Sequence, residues 1–218
     1  MMQLNVKTIN VLKNFSTINP SIVLKPGNVV TTISPNKTIM AKATIPDEFE
    51  GTYGIYALNR FISALSLFEN PSIDFGKESA RISSENRSVV YHYSDPSVIM
   101  VPPDREIKLP TVDVEFKLTE RNLQMVMKAL GVLSLPEIAV VGDGETVSLQ
   151  AIDSKAGSAD TYSIEVGHTD KVFRAIFRAE NMKMMGGDYT VKLSSKGISQ
   201  FIGLEAEYWI AIEATSTW

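Results

Sequence analysis

The sequence predicts an α+β chain built as two similar domains of antiparallel sheet, each with helices on one face, and three observations carry that prediction. One pattern occurs twice, each time as an amphipathic helix, a proline and two apolar strands joined by a glycine turn. At 218 residues, 44% hydrophobic and 21% charged, the chain suits two units of about 105 residues better than one large core. In VPPDREIKLPTVDVEF, Pro102, Pro103 and Pro110 forbid helix and favour an extended join. The expected organisation is a domain over residues 1–100, a connector over 101–112 and a second domain over 113–218.

In the first copy LNVKTINVLKNFSTIN runs into Pro20, the strand SIVL, the turn Lys25-Pro26-Gly27-Asn28 and the strand VVTTI. In the second, LTERNLQMVMKALGVLSL runs into Pro136, the strand EIAVV, the turn Gly142-Asp143-Gly144-Glu145 and the strand TVSLQAI. Ile22 thus matches Ile138, and Leu24 matches Val140. Later in each copy an aromatic pair of strands surrounds another short helix, GIYALNRFISALSLF before SIDFGKESARI and AIFRAENMKMM before DYTVKLSSKGI. Alternating stretches at Val89 to Tyr93 and Tyr208 to Ala214 read as antiparallel strands.

A helix that covers a sheet shows apolar residues on one side only. In the first helix Leu4, Val11, Leu12, Phe15 and Ile18 share a face opposite Lys7, Asn10, Lys13, Asn14 and Thr17; only Val6 sits on the wrong side. In the second, Leu58, Phe61, Ile62, Leu65 and Phe68 oppose Asn59, Arg60, Ser63 and Ser66. In the third, Thr119 is the expected N-cap, Leu123, Val126, Met127 and Leu130 point inward, and Arg121, Gln124 and Lys128 point out. A short fourth helix around AENMKMM offers Lys183, with Arg178 just before it, and its methionines are expected in the core. Of 21 basic and 25 acidic residues, seven and two fall on these stretches, leaving 14 and 23 elsewhere. Exposed helices are commonly charged. Four cationic faces on a chain of net charge −4 point instead to one surface turned toward a polyanion, with acidic sheets toward solvent. The interleaved Asn, Gln, Ser and Thr suit phosphate contact without base reading.

Catalytic chemistry is missing. With no cysteine there is no disulfide, thiolate metal site or cysteine nucleophile. The two histidines read as sheet surface or packing (His92) and solvated turn (His168). There is no G-x-S-x-G, G-x-x-x-x-G-K-[ST] or H-E-x-x-H pattern. DSKAGSAD at 153–160 has the wrong acid spacing for a calcium loop and reads as a mobile loop. No catalytic residue, metal ligand or cofactor is expected. No run approaches the roughly 20 apolar residues of a membrane span. The opening MMQLNVKTIN lacks the plan of a signal peptide, so a cytosolic protein with no membrane partner is expected. Asn36-Lys37-Thr38 and Asn86-Arg87-Ser88 are then plain loop residues.

With these features the chain resembles the sliding clamps, the DNA polymerase processivity factors of T-even-type bacteriophages. The stretches that carry the resemblance are VLKNFSTINPSIVL, YALNRFISALSL, VPPDREIKLP and AENMKMMGGDYTVKL. The resemblance implies a DNA-clamp fold and a homotrimeric closed ring, loaded around duplex DNA by an ATP-driven clamp loader in the cytoplasm of an infected bacterial host. It implies tethering of the replicative DNA polymerase, and late-transcription factors are further candidate partners. Lys7, Lys13, Arg60, Arg121, Lys128, Arg178 and Lys183 would point into the hole. A helix of 13 residues is about 20 Å long, and roughly 12 duplex phosphate charges lie alongside that length. Partner tails would dock outside, with Ile107, Leu109 and Pro110 as candidates that equally well anchor the connector. Trp209, which shares a strand face with Glu207, Ala211 and Glu213, is a further candidate for sealing a subunit interface or capping a partner pocket, or else packs under the connector. Two other readings are a structural or assembly protein of a virus particle, and a hydrolase using Asp74 and Glu78.

Overall fold

The computed structural model describes residues 1–105, 107–156 and 160–218. Residue 106 of the expected connector, and residues 157–159 of the expected mobile loop, lie outside the described residues. The chain divides into two compact units, Met1–Asp104 and Arg105–Trp218.

The first unit runs α1 (Val6–Ile18), β1 (Ile22–Leu24), β2 (Gly27–Ile33), β3 (Ile39–Phe49), β4 (Tyr53–Ile55), α2 (Leu58–Leu65), β5 (Ser72–Phe75), β6 (Ser79–Ser84) and β7 (Arg87–His92). The second runs β8 (Val114–Leu118), α3 (Glu120–Leu133), β9 (Glu137–Asp143), β10 (Thr146–Ile152), β11 (Tyr162–His168), β12 (Val172–Arg178), a 3-10 turn (Ala179–Asn181), β13 (Tyr189–Ser194), β14 (Ile198–Ile202) and β15 (Glu207–Ala211). Element for element, α1 to β7 corresponds to α3 to β15, with α2 replaced by the 3-10 turn. In the first unit Met2 bridges Ile73 of β5, as β8 pairs with β13 in the second.

The repeat extends to hydrogen bonds. Leu58 N donates to Pro20 O at 2.8 Å, and Ala179 N donates to Pro136 O at 2.9 Å. The chain leaving each last strand folds back on the fourth, with Ser94 N to Gly54 O at 2.9 Å and Glu213 N to Ile176 O at 2.8 Å. Gly54 is required for that approach, because a Cβ there would lie 2.3 Å from Ser94 O.

Within each unit the described strands pair antiparallel. In the second unit β11, β10, β9 and β12 form one sheet in that order, and β8, β13, β14 and β15 pair in series in another. In the first unit β5, β6 and β7 form a sheet, β1 pairs β4, and β2 pairs β3. The β9–β10 hairpin closes at Gly144 in a left-handed conformation (φ +94°), with Asp143 accepting from Glu145 N and Thr146 N. Its counterpart between β1 and β2 contains Pro26, which has no N–H for a ladder, and those two strands do not pair.

The expected fourth helix is one 3-10 turn, Ala179–Asn181. So few residues before Gly186 and Gly187 cannot repay the nucleation of an α-helix. Met182 nonetheless joins the core, converging with Leu123 and Val126 of α3 on Phe116, Leu118, Ile138, Val140, Leu149, Phe177 and Phe201. The first unit is packed around Phe49, Tyr53, Phe61, Phe75 and Tyr91, whose rings meet edge-on or tilted. His92 is exposed at the end of β7, and His168, expected in a turn, is the last residue of β11.

Candidate nucleic-acid interface

The way each helix starts decides which side chains it offers to solvent. Asn5 caps α1, its Oδ1 accepting from Lys7 N at 2.9 Å while its own N–H donates to Asp47 at 2.8 Å. In that register Thr8, Val11, Leu12, Phe15 and Ile18 are buried, and Lys7, Asn10, Lys13 and Thr17 are exposed. Leu4, expected on the helix, precedes the cap and is half-buried. Thr119 caps α3 as expected, accepting from Asn122 N at 3.3 Å. Glu120 N donates to Asp188 at 2.8 Å, and the Glu120 carboxylate accepts from Gln124 at 3.0 Å. Leu123, Val126, Ala129 and Leu130 are buried beneath exposed Arg121, Gln124 and Lys128.

At α2 the capping position is Ala57, which has no side-chain cap. The Tyr91 hydroxyl of β7 substitutes, accepting from Ala57 N and donating to Ala57 O, both at 3.3 Å. This holds Asn59, Arg60 and Ser63 outward over buried Leu58, Phe61, Ile62 and Leu65. Phe68, expected on the apolar stripe, lies beyond the helix, half-buried, with the Arg87 guanidinium 5.9 Å from its ring centre. Among the described residues, no carboxylate pairs with Lys13, Arg60, Arg121 or Lys128. Their charge is therefore available to an external anion.

Arg178 and Lys183 are placed differently. Arg178 ends β12, its Nε 3.0 Å from Glu213 and Nη1 3.7 Å from Glu180. The Glu213 contact, with Glu180 behind it, raises its pKa further, and two acids offset its charge. Lys183 is exposed on an extended segment held at Met185, whose O accepts from the Tyr189 hydroxyl at 2.5 Å and whose N donates to the Tyr208 hydroxyl at 3.1 Å. Burial pushes Tyr208 up to about 12, against the opposing Met185 N–H, so that hydroxyl stays protonated at physiological pH. The expected short helix offering Lys183, with Arg178 just before it, is therefore replaced by a strand end and a segment beyond the 3-10 turn.

Ile107 and Leu109 are half-buried and Pro110 is exposed. Trp209, expected at an interface, at a pocket or packed under the connector, is only 6% exposed, and its indole N–H has no partner among the described residues. It offers no ring surface for docking. Sequence reasoning missed two features. Met125 and Val132 are exposed at 39% and 73% on the arc of Arg121, and hydropathy periodicity signals them as it did Val6, which is 69% exposed. Among the described residues, β7 and β11 each end a sheet with no strand paired on the outer edge, which only strand order reveals.

Residues 5–101 match the family model described as DNA polymerase processivity factor, and residues 115–214 match gp45 sliding clamp, C terminal. The chain is 34% identical to the sliding clamp of Vibrio phage KVP40, over 98% of this chain and all of that one. The chain belongs to the sliding-clamp family. It is likewise 31% identical to the sliding clamp of Enterobacteria phage T4, over 99% of both chains. The solved structure of A. fulgidus PCNA bound to the C-terminal region of FEN-1 shares the fold, with TM-score 0.69 at 15% identity over 94% of each chain. As a sliding clamp it is a DNA polymerase processivity factor, and the virus-particle reading finds no support.

Proposed function

We propose that this sliding clamp closes as three copies into a ring around duplex DNA and tethers a replicative polymerase without catalysis of its own. The observation that carries the proposal is the set of unpaired cations on polar helix faces, Lys13 on α1, Arg60 on α2, and Arg121 and Lys128 on α3. Such faces attract phosphate without reading bases. Held off by water they let the duplex slide, and enclosure supplies the residence time. Lys7 joins the same arc of α1, and Lys183 and Arg178 contribute less.

Ring closure is supported by β7 and β11, two differing edges that carry no outer strand among the described residues, which is what head-to-tail assembly needs. An ATP-driven loader would open and close the ring. Ile107, Leu109 and Pro110 of the 101–112 connector are the proposed seat of polymerase, loader and late-transcription-factor tails, in the cytoplasm of an infected bacterium. No helix among the described residues is long and apolar enough to cross a membrane.

The test is polymerase run length. With loader and ATP, adding the protein should convert distributive synthesis into long runs, and unchanged distributive synthesis would sink the proposal. Sedimentation at micromolar concentration should give three times the chain mass; a monomer at every concentration would contradict the ring.

A further inference from the structure

α1 carries two apolar stripes, and only one of them enters the core. Thr8, Val11, Leu12, Phe15 and Ile18 are buried beneath the helix. Val6, Ile9 and Lys13 recur at intervals of three and four, which sets them within about 60° of one another on the other side. Val6 is 69% exposed and Ile9 is half-buried. This second stripe is one wall of a groove of about 480 Å³. The C-terminal half of α2 gives the opposite wall through Ile62, Ser63, Leu65 and Ser66, and the turn after α2 adds Phe68 and Pro71, both half-buried. Gln3 Nε2 donates to Asn70 O at 3.1 Å and so ties that turn to the segment before α1. Single exposed apolar side chains are ordinary. Two on one stripe, facing Phe68 and Pro71 across a concave surface, make a patch for a ligand to cover, and the volume is that of a binding site.

The charge of the groove has one sign. Among the described residues, Lys13 is the one ionisable side chain of the lining, and no carboxylate pairs with it. Neither α1 nor α2 contains an acid, and Glu69, in the turn beyond α2, is not part of the lining. The exposed faces beside the groove add Lys7 and Arg60. Duplex phosphates answer these cations, but a sugar-phosphate backbone has no apolar side chain to bury Val6 and Ile9. The groove therefore suits an occupant that combines negative charge with an apolar stripe of its own.

We propose that the α1–α2 groove receives an acidic amphipathic helix of a partner protein, its apolar side chains seated among Val6, Ile9 and Phe68 and its carboxylates beside Lys13. From Val6 to Lys13 the stripe is about 10 Å long, so roughly two to three turns of the partner cover it, with apolar residues three and four apart. Lys13 is also one of the cations assigned to the duplex. Helix and duplex then exclude each other, and a partner seated here keeps the protein off DNA. Only that last step rests on the clamp reading.

The test uses the intact protein without loader. The probe is the fluorescein-labelled peptide Asp-Glu-Leu-Ala-Glu-Leu-Leu-Glu-Ala-Leu-Glu-amide, followed by anisotropy, and the control peptide has every leucine replaced by serine, which keeps the charge and removes the apolar stripe. Saturable binding of the leucine peptide, displaced by unlabelled duplex, and no saturation by the serine peptide up to about 1 mM are expected. Val6→Ser should melt like the parent, weaken the leucine peptide roughly tenfold through the loss of about two buried carbons, and leave affinity for a short duplex unchanged. Lys13→Gln should weaken both ligands. No saturation by the leucine peptide, or equal binding of the serine peptide, overturns the proposal without recourse to any variant. So does a Val6→Ser protein that loses duplex and peptide affinity in step, which would give the groove to DNA, or one whose sedimenting mass falls, which would give it to a second copy. Peptide and duplex bound together would overturn their mutual exclusion. Run length plays no part, so failure here leaves the processivity proposal standing, and the reverse.

Discussion

Replacing Arg121 and Lys128 together with glutamine removes the charge of the α3 face and little else. Both side chains are exposed and, among the described residues, neither is ion-paired. They stand seven residues apart, so they project within about 20° of each other and about 10 Å apart along the axis. That spacing spans roughly six duplex phosphate charges. If each cation displaces counterions on meeting the duplex, the plot of log affinity against log salt flattens by about 1.8 for the pair. Between 50 and 200 mM salt the parent should therefore lose about tenfold more affinity than the variant. Fluorescence anisotropy with a short duplex measures the slope, and run length at the same salts reads the function. Melting should move by no more than about 0.5 kcal/mol, as for surface substitutions generally. A folded variant with the parental salt slope and run length would refute the placement of α3 against DNA.

Gly54→Ala should cost roughly 1–3 kcal/mol in thermal melting, because the methyl meets Ser94 O at 2.3 Å and forces the fold-back apart; an unchanged Tm would contradict that close approach. Tyr91→Phe deletes the hydroxyl that both accepts from and donates to Ala57. It should cost about 1 kcal/mol and speed amide exchange at Ala57, and parental exchange there would count against a capping role. Asp113 is held below the usual carboxylate range, first by the Ser195 N–H and then by the Thr111 hydroxyl. Its stabilisation is therefore fully present above the ordinary carboxylate pKa and lost as pH falls through the lowered folded value. Asp113→Asn should melt below the parent at neutral pH and converge with it in acid; a gap that persists in acid would show another origin.

Local signals carried most of the helical architecture. Thr119 is a capping residue three positions before a paired N–H, and the apolar stripe of α2 is buried as its spacing requires. The repeat was legible because Pro20 and Pro136 precede equivalent strands and bond equivalent residues. Long-range contacts were not legible. Arg178 looked like a free cation because Glu213, its partner, is 35 positions away. Trp209 shares a face of β15 with Glu207, yet burial depends on what lies over the strand rather than on the neighbours along one face. The fourth helix was overread from methionines and alanines with good helix propensity, when two glycines leave only a turn. The unpaired edges of β7 and β11 follow from strand order, which no local pattern encodes.

Retention on DNA of different topology bears most directly on enclosure. After loading onto a nicked circular duplex in low salt, the protein is challenged with about 0.5 M salt, where surface charges are screened within a few ångström, and half the sample is linearised. A tethering ring stays with the circles and runs off the linear molecules. Equal retention on both, or equal loss from both, would mean that contact strength rather than encirclement holds the protein to DNA.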